Sequence, residues 1–172
     1  APAAAAAAER REALFRAALG SLSTDPGLHP LAPYFTAYIA DGVAQGLGRP
    51  PLLRRLLSLA RALLINPAIQ MEFYLNQLLP AVVTVLLTRA LGPRGGDEHW
   101  ALREQAAALA ALAARLFGAP YRNVAPRLVR LMAKAFMDPS KGFACKYGAV
   151  VGLQVGACVC VGAEGRVCVC VE

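Results

Sequence analysis

Four cysteines near the end of the chain have the spacing that comes closest to a metal site. Cys158 and Cys160 form one Cys-x-Cys pair, and Cys168 and Cys170 form a second pair beyond a Gly-containing segment. In a β-hairpin each pair would place both sulfurs on one face, so that four thiolates could bind Zn²⁺ tetrahedrally. Structural zinc knuckles use a Cys-x2–4-Cys spacing, however, and alternating Val and Cys is typical of low-complexity sequence. We therefore favour a tail that is not native to the domain and holds no metal.

The other side chains that could support catalysis are few and scattered. The chain has two histidines, His29 and His99, and neither belongs to a metal-binding spacing such as His-Glu-x-x-His. No Gly-rich phosphate loop follows a strand, and the 11 acidic residues fall at helix caps and on polar faces. The sequence therefore predicts a protein that is not an enzyme, with no catalytic residues and no cofactor.

The composition indicates that helices position the side chains through which the chain could bind a partner. Hydrophobic residues make up 57% of the 172 residues and are mostly Ala and Leu, which are strong helix formers. The formal charge of +7 would suit nucleic acid or an acidic protein surface, and the simplest interpretation is a solvated basic face. Neither a signal peptide nor a membrane span is expected.

Periodicity and breaker residues predict seven helices within a domain that spans residues 9–154. A low-complexity linker is expected over residues 1–8, and an irregular or hairpin-like Gly/Cys/Val tail over residues 155–172. The predicted helices are Glu9–Gly20, His29–Ala44, Leu52–Leu64, Met71–Leu91, Glu98–Phe117 with Asp97 as its N-cap, Asn123–Met137, and one that starts near Phe143. We expect Pro80 to kink the fourth helix.

Three prolines recur at nearly constant spacing. Pro33, Pro80 and Pro126 lie 47 and 46 residues apart, within similar local strings. This period matches the upper edge of HEAT and armadillo repeats, whose helix pairs must stack because one pair cannot bury its apolar face. We expect each proline to lie in the second helix of its pair. The sequence thus predicts an all-α fold, an α-solenoid of antiparallel HEAT-type helix pairs, and a non-repeat bundle is the alternative.

Several strings, in the same order from Leu28 to Gln154, resemble one known family. The most specific is His99–Glu104, which reads His-Trp-Ala-Leu-Arg-Glu. The others are Leu28–Phe35, Arg61–Pro67, Tyr74–Val82 (with Asn76 where the family usually has His), Asp138–Lys141 and Tyr147–Leu153. Together they resemble the C-terminal HEAT-repeat domain of TBP-associated factor six, a TFIID subunit with a paralogue in SAGA-type coactivators. We expect Trp100 to be a packing anchor and His99 a hydrogen-bonding surface group.

The resemblance implies a scaffold subunit in the nucleus that takes part in transcription preinitiation by binding proteins. Its expected partners are other TFIID or SAGA-type subunits, and it would associate with promoter DNA only indirectly and with no membrane. The family also has an N-terminal histone fold that binds a second histone fold, so we expect this chain to be a fragment of a longer protein. An α-solenoid that binds nucleic acid through its basic surface is the alternative function.

Two basic stripes are the candidate partner surface. On the third and on the sixth predicted helix, the stripe is opposite the apolar face. The six residues are Arg54, Arg55 and Arg61 with Arg127, Arg130 and Lys134.

Overall fold

The computed structural model describes the backbone of residues 2–92, 98–118, 120–121 and 123–164. Within these ranges the chain forms helices and turns and no strand. The α-helices are α1 (Pro2–Thr24), α2 (Ala32–Gly46), α3 (Pro50–Ile65), α4 (Leu75–Leu87), α5 (Glu98–Phe117), α6 (Val124–Met137) and α7 (Phe143–Glu164). Short 3₁₀ segments, Pro26–Leu31 and Met71–Tyr74, precede α2 and α4.

The helices stack in two layers. Helices α1, α3, α5 and α7 form the first layer, in which each packs on the next. In the second layer α2 packs on α4, and α6 follows beyond a gap. The apolar side chains between the layers form one continuous core that includes Leu53, Leu78 and Leu102. The predicted all-α solenoid is therefore confirmed.

The pairing of helices differs in register from the expected one. The proline-bearing helices α2, α4 and α6 pack extensively against the helices that follow them, α3, α5 and α7, and only slightly against those that precede them. Each of the three prolines therefore lies in the first helix of a tightly packed pair. Pro33 and Pro126 fall within the first turn, where no helical N–H is needed.

The junction after α3 is held by a buried amide. Asn66 ends α3 in an extended conformation, as the following proline requires. Its Nδ2 donates to the carbonyls of Leu22 (2.8 Å) and Asp25 (3.0 Å), and its Oδ1 accepts from the Ala68 N–H. Asn66, which was predicted to end α3, thus also joins the end of α3 to the end of α1 and to Asp25, just before the α2–α3 pair.

Both ends of the solenoid are more helical than predicted. Helix α1 begins at Pro2, so the segment expected to be a linker is helical instead. Helix α7 continues to Glu164, where an irregular or hairpin-like tail was predicted from residue 155. That prediction is wrong for residues 155–164, because the run without proline continues the helix that precedes it. Residues 165–172 lie outside the described part of the chain.

The fourth helix is shorter than predicted. Met71 begins a 3₁₀ segment, the α-helix starts at Leu75, and Thr88 adopts an extended conformation after Leu87. Pro80 lies inside α4 and cannot donate to the carbonyl of Asn76. No described helix combines the length and apolar character that a membrane span requires.

Candidate interaction site

The basic stripe of α3 lies on the first layer. Arg54, Arg55 and Arg61 are all exposed. Arg55 forms an ion pair with Glu12 (3.6 Å) and lies over the ring of Phe15, 5.3 Å from its centroid. Arg55 is thus partly engaged with α1, and because the ion pair is exposed it contributes little to stability.

Between α3 and α5 the surface is almost closed. A depression of about 130 Å³ remains there, bordered by Arg61, Arg115 and Gln105. The Gln105 amide donates to the carbonyl of Arg54 (3.4 Å) and the hydroxyl of Ser58 (3.3 Å), across the two helices. Small side chains on α5 permit this close approach.

One residue of the basic stripe of α6, Arg127, lines a larger groove in the second layer. Arg127, Arg130 and Lys134 are exposed. The Nη1 of Arg127 donates to the Oδ1 of Asn76 on α4 (3.3 Å), which bridges a cavity of about 340 Å³ between the two helices. Leu131, which was expected on the buried face of α6, also lines this groove and is 42% exposed.

The six basic residues therefore do not form one surface. Helix α3 packs in the first layer and α6 at the end of the second, so the two stripes lie on different faces of the stack. A single contact surface was predicted because the two helices have similar polar patterns. Sequence periodicity shows which side of a helix is polar, but the layer in which the helix packs depends on tertiary contacts.

Arg103 is a buried cation whose position the sequence reasoning missed. It is 0% exposed, and its guanidinium donates to the carbonyls of Leu86 and Thr88 at the end of α4. Burial lowers the pKa of Arg103, whereas the nearby Cys145 acts in the opposite direction. The spacing held a signal, because Arg103 falls on the same helical face as the buried Ala106, Ala107 and Ala110.

Helix α7 closes over this buried cation. Gly148 approaches α4 so closely that a Cβ there would overlap the Leu86 carbonyl oxygen. At the preceding residue, the Tyr147 hydroxyl donates to Glu104 (2.8 Å), and this hydrogen bond is the main reason that the pKa of Tyr147 is raised.

The His-Trp-Ala-Leu-Arg-Glu string therefore joins α4, α5 and α7. The ring of Trp100 makes edge contacts with Tyr147 (4.7 Å between centroids) and Phe143 (6.1 Å), which agrees with its expected packing role. His99 stacks at a tilt on Trp100, 4.0 Å away. Its Nδ1 is buried and has no hydrogen-bond partner among the described residues, in contrast to the expected surface group.

The candidate metal ligands lie where side chains are not described. Cys158 and Cys160 are on the helical backbone of α7, which is not the strand that the hairpin site requires, and Cys168 and Cys170 lie outside the described residues. Among the described side chains, no group of three or more His, Cys, Asp or Glu residues could hold a metal ion. The Nδ1 of His29 accepts a long hydrogen bond from the Gln70 N–H (3.4 Å).

Comparison with known proteins identifies one family. A family model described as the TAF6 C-terminal HEAT repeat domain matches residues 3–160. Transcription initiation factor TFIID subunit 6b of Arabidopsis thaliana is 44% identical over 140 residues, which are 81% of this chain and 27% of that protein. The SAGA complex/transcription factor TFIID complex subunit Taf6 of Schizosaccharomyces pombe is 42% identical over 139 residues, 80% of this chain and 31% of that protein.

A human protein and a solved structure extend the comparison. The human TAF6-like RNA polymerase II p300/CBP-associated factor-associated factor 65 kDa subunit 6L is 33% identical over 142 residues, 82% of this chain and 23% of that protein. The TAF6 C-terminal domain from Antonospora locustae superposes with a TM-score of 0.77 at 22% identity, over 87% of this chain and 74% of that chain. The chain thus spans between a quarter and a third of the length of the relatives first matched.

Proposed function

The chain belongs to the TAF6 C-terminal HEAT repeat domain family, and on that basis we propose that it is a structural scaffold in a TFIID or SAGA-type complex. It acts in transcription preinitiation by binding other proteins, and it works in the nucleus. The observation that carries this proposal is the match over residues 3–160, which overlaps each of the seven described α-helices and leaves out only Pro2 of α1 and the last four residues of α7. The two proposed complexes are taken from the names of the relatives, TFIID subunit 6b and SAGA/TFIID subunit Taf6.

The proposed partners are other subunits of these complexes. A histone-fold partner would be reached through a segment upstream of this domain, and promoter DNA would be contacted indirectly. We propose no catalytic activity, and the support is that the relatives are named as subunits of transcription factors and of an associated factor. A stacked solenoid suits this role because it presents a long surface on rigid helices.

The two basic stripes are proposed as separate contact surfaces. One consists of Arg54, Arg55 and Arg61 on α3, and the other of Arg127, Arg130 and Lys134 on α6. Because they lie on different faces, one protein could occupy each surface at the same time. This separation also favours proteins over nucleic acid, since a single duplex would need a continuous basic track.

Co-purification of a tagged version tests the proposal. The domain, joined to the rest of the protein, should co-purify with TFIID or SAGA-type subunits. Reversing the three charges on α6 should remove some of these subunits and reversing those on α3 should remove others, because each change alters one face only. Co-purification that both variants leave unchanged would contradict the two surfaces, and its absence in the unmutated protein would contradict the scaffold role.

The salt dependence of DNA binding distinguishes the alternative function, nucleic-acid binding, from the proposed scaffold role. A nucleic-acid-binding solenoid would lose affinity for a DNA duplex steeply with salt, since binding releases about one counterion for each phosphate contact. A protein contact built around apolar side chains should lose much less. Tight, steeply salt-dependent binding of the isolated chain to DNA would support the alternative.

A further inference from the structure

We infer that the groove between α4 and α6 binds the apolar face of an acidic amphipathic helix contributed by another protein. This inference rests on the proposed scaffold function and specifies the partner's chemistry at one site. The groove is defined by Leu75, Leu79, Val83, Val124, Leu128 and Leu131, with Asn76 and Arg127 at its mouth.

The groove exists because the second layer is not closed. Helix α2 packs directly on α4, whereas α4 and α6 are held apart while each packs against α7. The cavity of about 340 Å³ that remains has the volume of a small binding pocket. Within the groove α6 leaves Leu131 42% exposed. An apolar surface of this kind, bordered by charged groups, marks a protein interaction site.

The lining fits the side chains of a helix. Its aliphatic walls lie on two helices, so large apolar groups spaced one helical turn apart could enter between them. Pro80 is part of the wall and has no N–H, so the carbonyl of Asn76 lacks its usual helical donor. That carbonyl offers an acceptor for a hydroxyl, indole or amide group of the partner.

The charges around the groove favour an acidic partner. Arg127 lines the groove, and Arg130 and Lys134 are exposed on the same helix, α6. Glu72 is the opposing charge, and it is partly buried in an adjoining cavity of about 170 Å³ that Arg127 also lines. The three exposed cations of α6 outnumber that carboxylate.

Other occupants fit the groove less well. A second copy of this chain would bring a formal charge of +7 towards a basic edge. A nucleic-acid backbone would be attracted to Arg127 and Lys134 but could not use the aliphatic walls, because phosphates require polar contacts. The combination of apolar walls and basic edges is matched by a helix with leucines or aromatics on one face and carboxylates beside them.

Peptide selection by the purified chain tests the inference. The probe is a displayed library of 15-residue helical peptides with apolar residues at i, i+3, i+4 and i+7 and random residues elsewhere. The chain should enrich peptides of net negative charge that carry Leu, Phe or Trp on the apolar face. Thr84→Trp, at an exposed position of the groove wall, should weaken the selected peptides by about 30-fold or more, as expected when a hot-spot pocket is blocked.

Charge reversal tests the acidic requirement separately. Arg127→Glu should weaken the same peptides by about tenfold and should itself enrich less acidic sequences. The matched controls lie in the depression between α3 and α5, which is lined by Ala108 and Arg115. Ala108→Trp and Arg115→Glu should each change the affinity by less than about twofold, since both positions are in the other layer. Circular dichroism should show that all four variants unfold at the temperature of the unmutated chain.

Each contrary result overturns the inference. These results are enrichment of neutral or basic peptides, failure to enrich any peptide, binding that survives Thr84→Trp, and equal loss from Ala108→Trp. A dimer or a DNA complex that Thr84→Trp dissociates would assign the groove to a different occupant. The selection uses the chain alone, so its failure while co-purification succeeds would contradict only the groove.

Discussion

The two layers of the solenoid differ in how closely the helices of successive repeats pack together. In the first layer α3 and α5 approach closely, and a polar bridge from Gln105 to Arg54 and Ser58 spans the remaining depression of about 130 Å³. In the second layer α4 and α6 leave about 340 Å³ open, spanned by one hydrogen bond between Arg127 and Asn76. The same repeat can therefore provide stability on one side and a binding groove on the other.

The residues at the two depressions differ. In the closed layer α5 presents Gln105 and Ala108, among others, and the Gln105 amide reaches across to α3. At the open layer, α4 and α6 face each other with Leu79, Val83 and Leu131, which touch the groove without filling it. The comparison predicts that substitutions in the closed layer change stability, while matched substitutions at the groove change binding.

The largest effect is expected at Arg103, where α5 holds the end of α4. Arg103→Met should lower the free energy of unfolding by about 4 kcal/mol, because it leaves one buried and one partly buried carbonyl without this donor. Arg127→Met, at the groove, should change it by less than about 0.5 kcal/mol, because Arg127 is exposed. Urea denaturation measures both, and equal effects would contradict the assignment of stability to the closed side.

The next effect compares two asparagines that bridge helices. Asn66→Ala removes three hydrogen bonds at a buried junction and should cost about 3 kcal/mol of unfolding free energy. Asn76→Ala removes one exposed hydrogen bond across the groove and should cost less than about 0.5 kcal/mol. Thermal denaturation of the two variants provides the measurement. A large loss from Asn76→Ala would indicate that the groove is a structural element.

Enlarging a side chain in each layer tests the packing directly. Ala113→Leu adds volume to a fully buried position on α5 and should destabilise the chain by about 2 kcal/mol. Val83→Leu adds volume towards the groove and should be nearly neutral, because open space is present there. A strong loss of stability from Val83→Leu, measured by urea denaturation, would show that the groove is closed in solution.

The smallest effect concerns Asp138, which follows α6. Hydrogen bonds from the Ser140 hydroxyl and N–H are the main reason that the pKa of Asp138 is lowered. Because the folded pKa is the lower one, the stabilisation is present above the unfolded pKa, near 3.9. It is lost as the pH falls through the folded pKa. Ser140→Ala should raise the pKa of Asp138 towards its ordinary value in an NMR titration, and an unchanged pKa would contradict this cause.

Much of the helix pattern could be predicted from local sequence. The ends of α3 at Asn66 and of α6 at Asp138 were correctly placed, because a residue before proline disfavours helix. The predictions were less accurate for the start of α4, where a 3₁₀ segment replaces the first turn, and for both ends of the chain. Such boundaries depend on contacts with other helices, which local propensity does not contain.

The candidate site was only partly predictable for the same reason. The polar stripe of α6 was evident from its spacing, yet Leu131 and Phe136 were assigned to the buried face. Leu131 is exposed because α6 has a packing partner in α7 but none that closes its side towards α4. Phe136 is exposed at a position that does not line the groove. A helix pattern indicates one apolar side but not how much of that side a neighbour covers.

The sequence by itself determined the helices, the repeat of the prolines and the family, because each depends on residues close in the chain or on strings of them. Only the tertiary structure decided that Arg103 is buried against α4, that the two basic stripes lie on different faces, and that α4 and α6 leave a groove. The physical reason is that burial and proximity are set by contacts between residues far apart in sequence. Here those contacts bridge α3 and α5 through Gln105 in one layer and leave a groove between leucines and valines in the other.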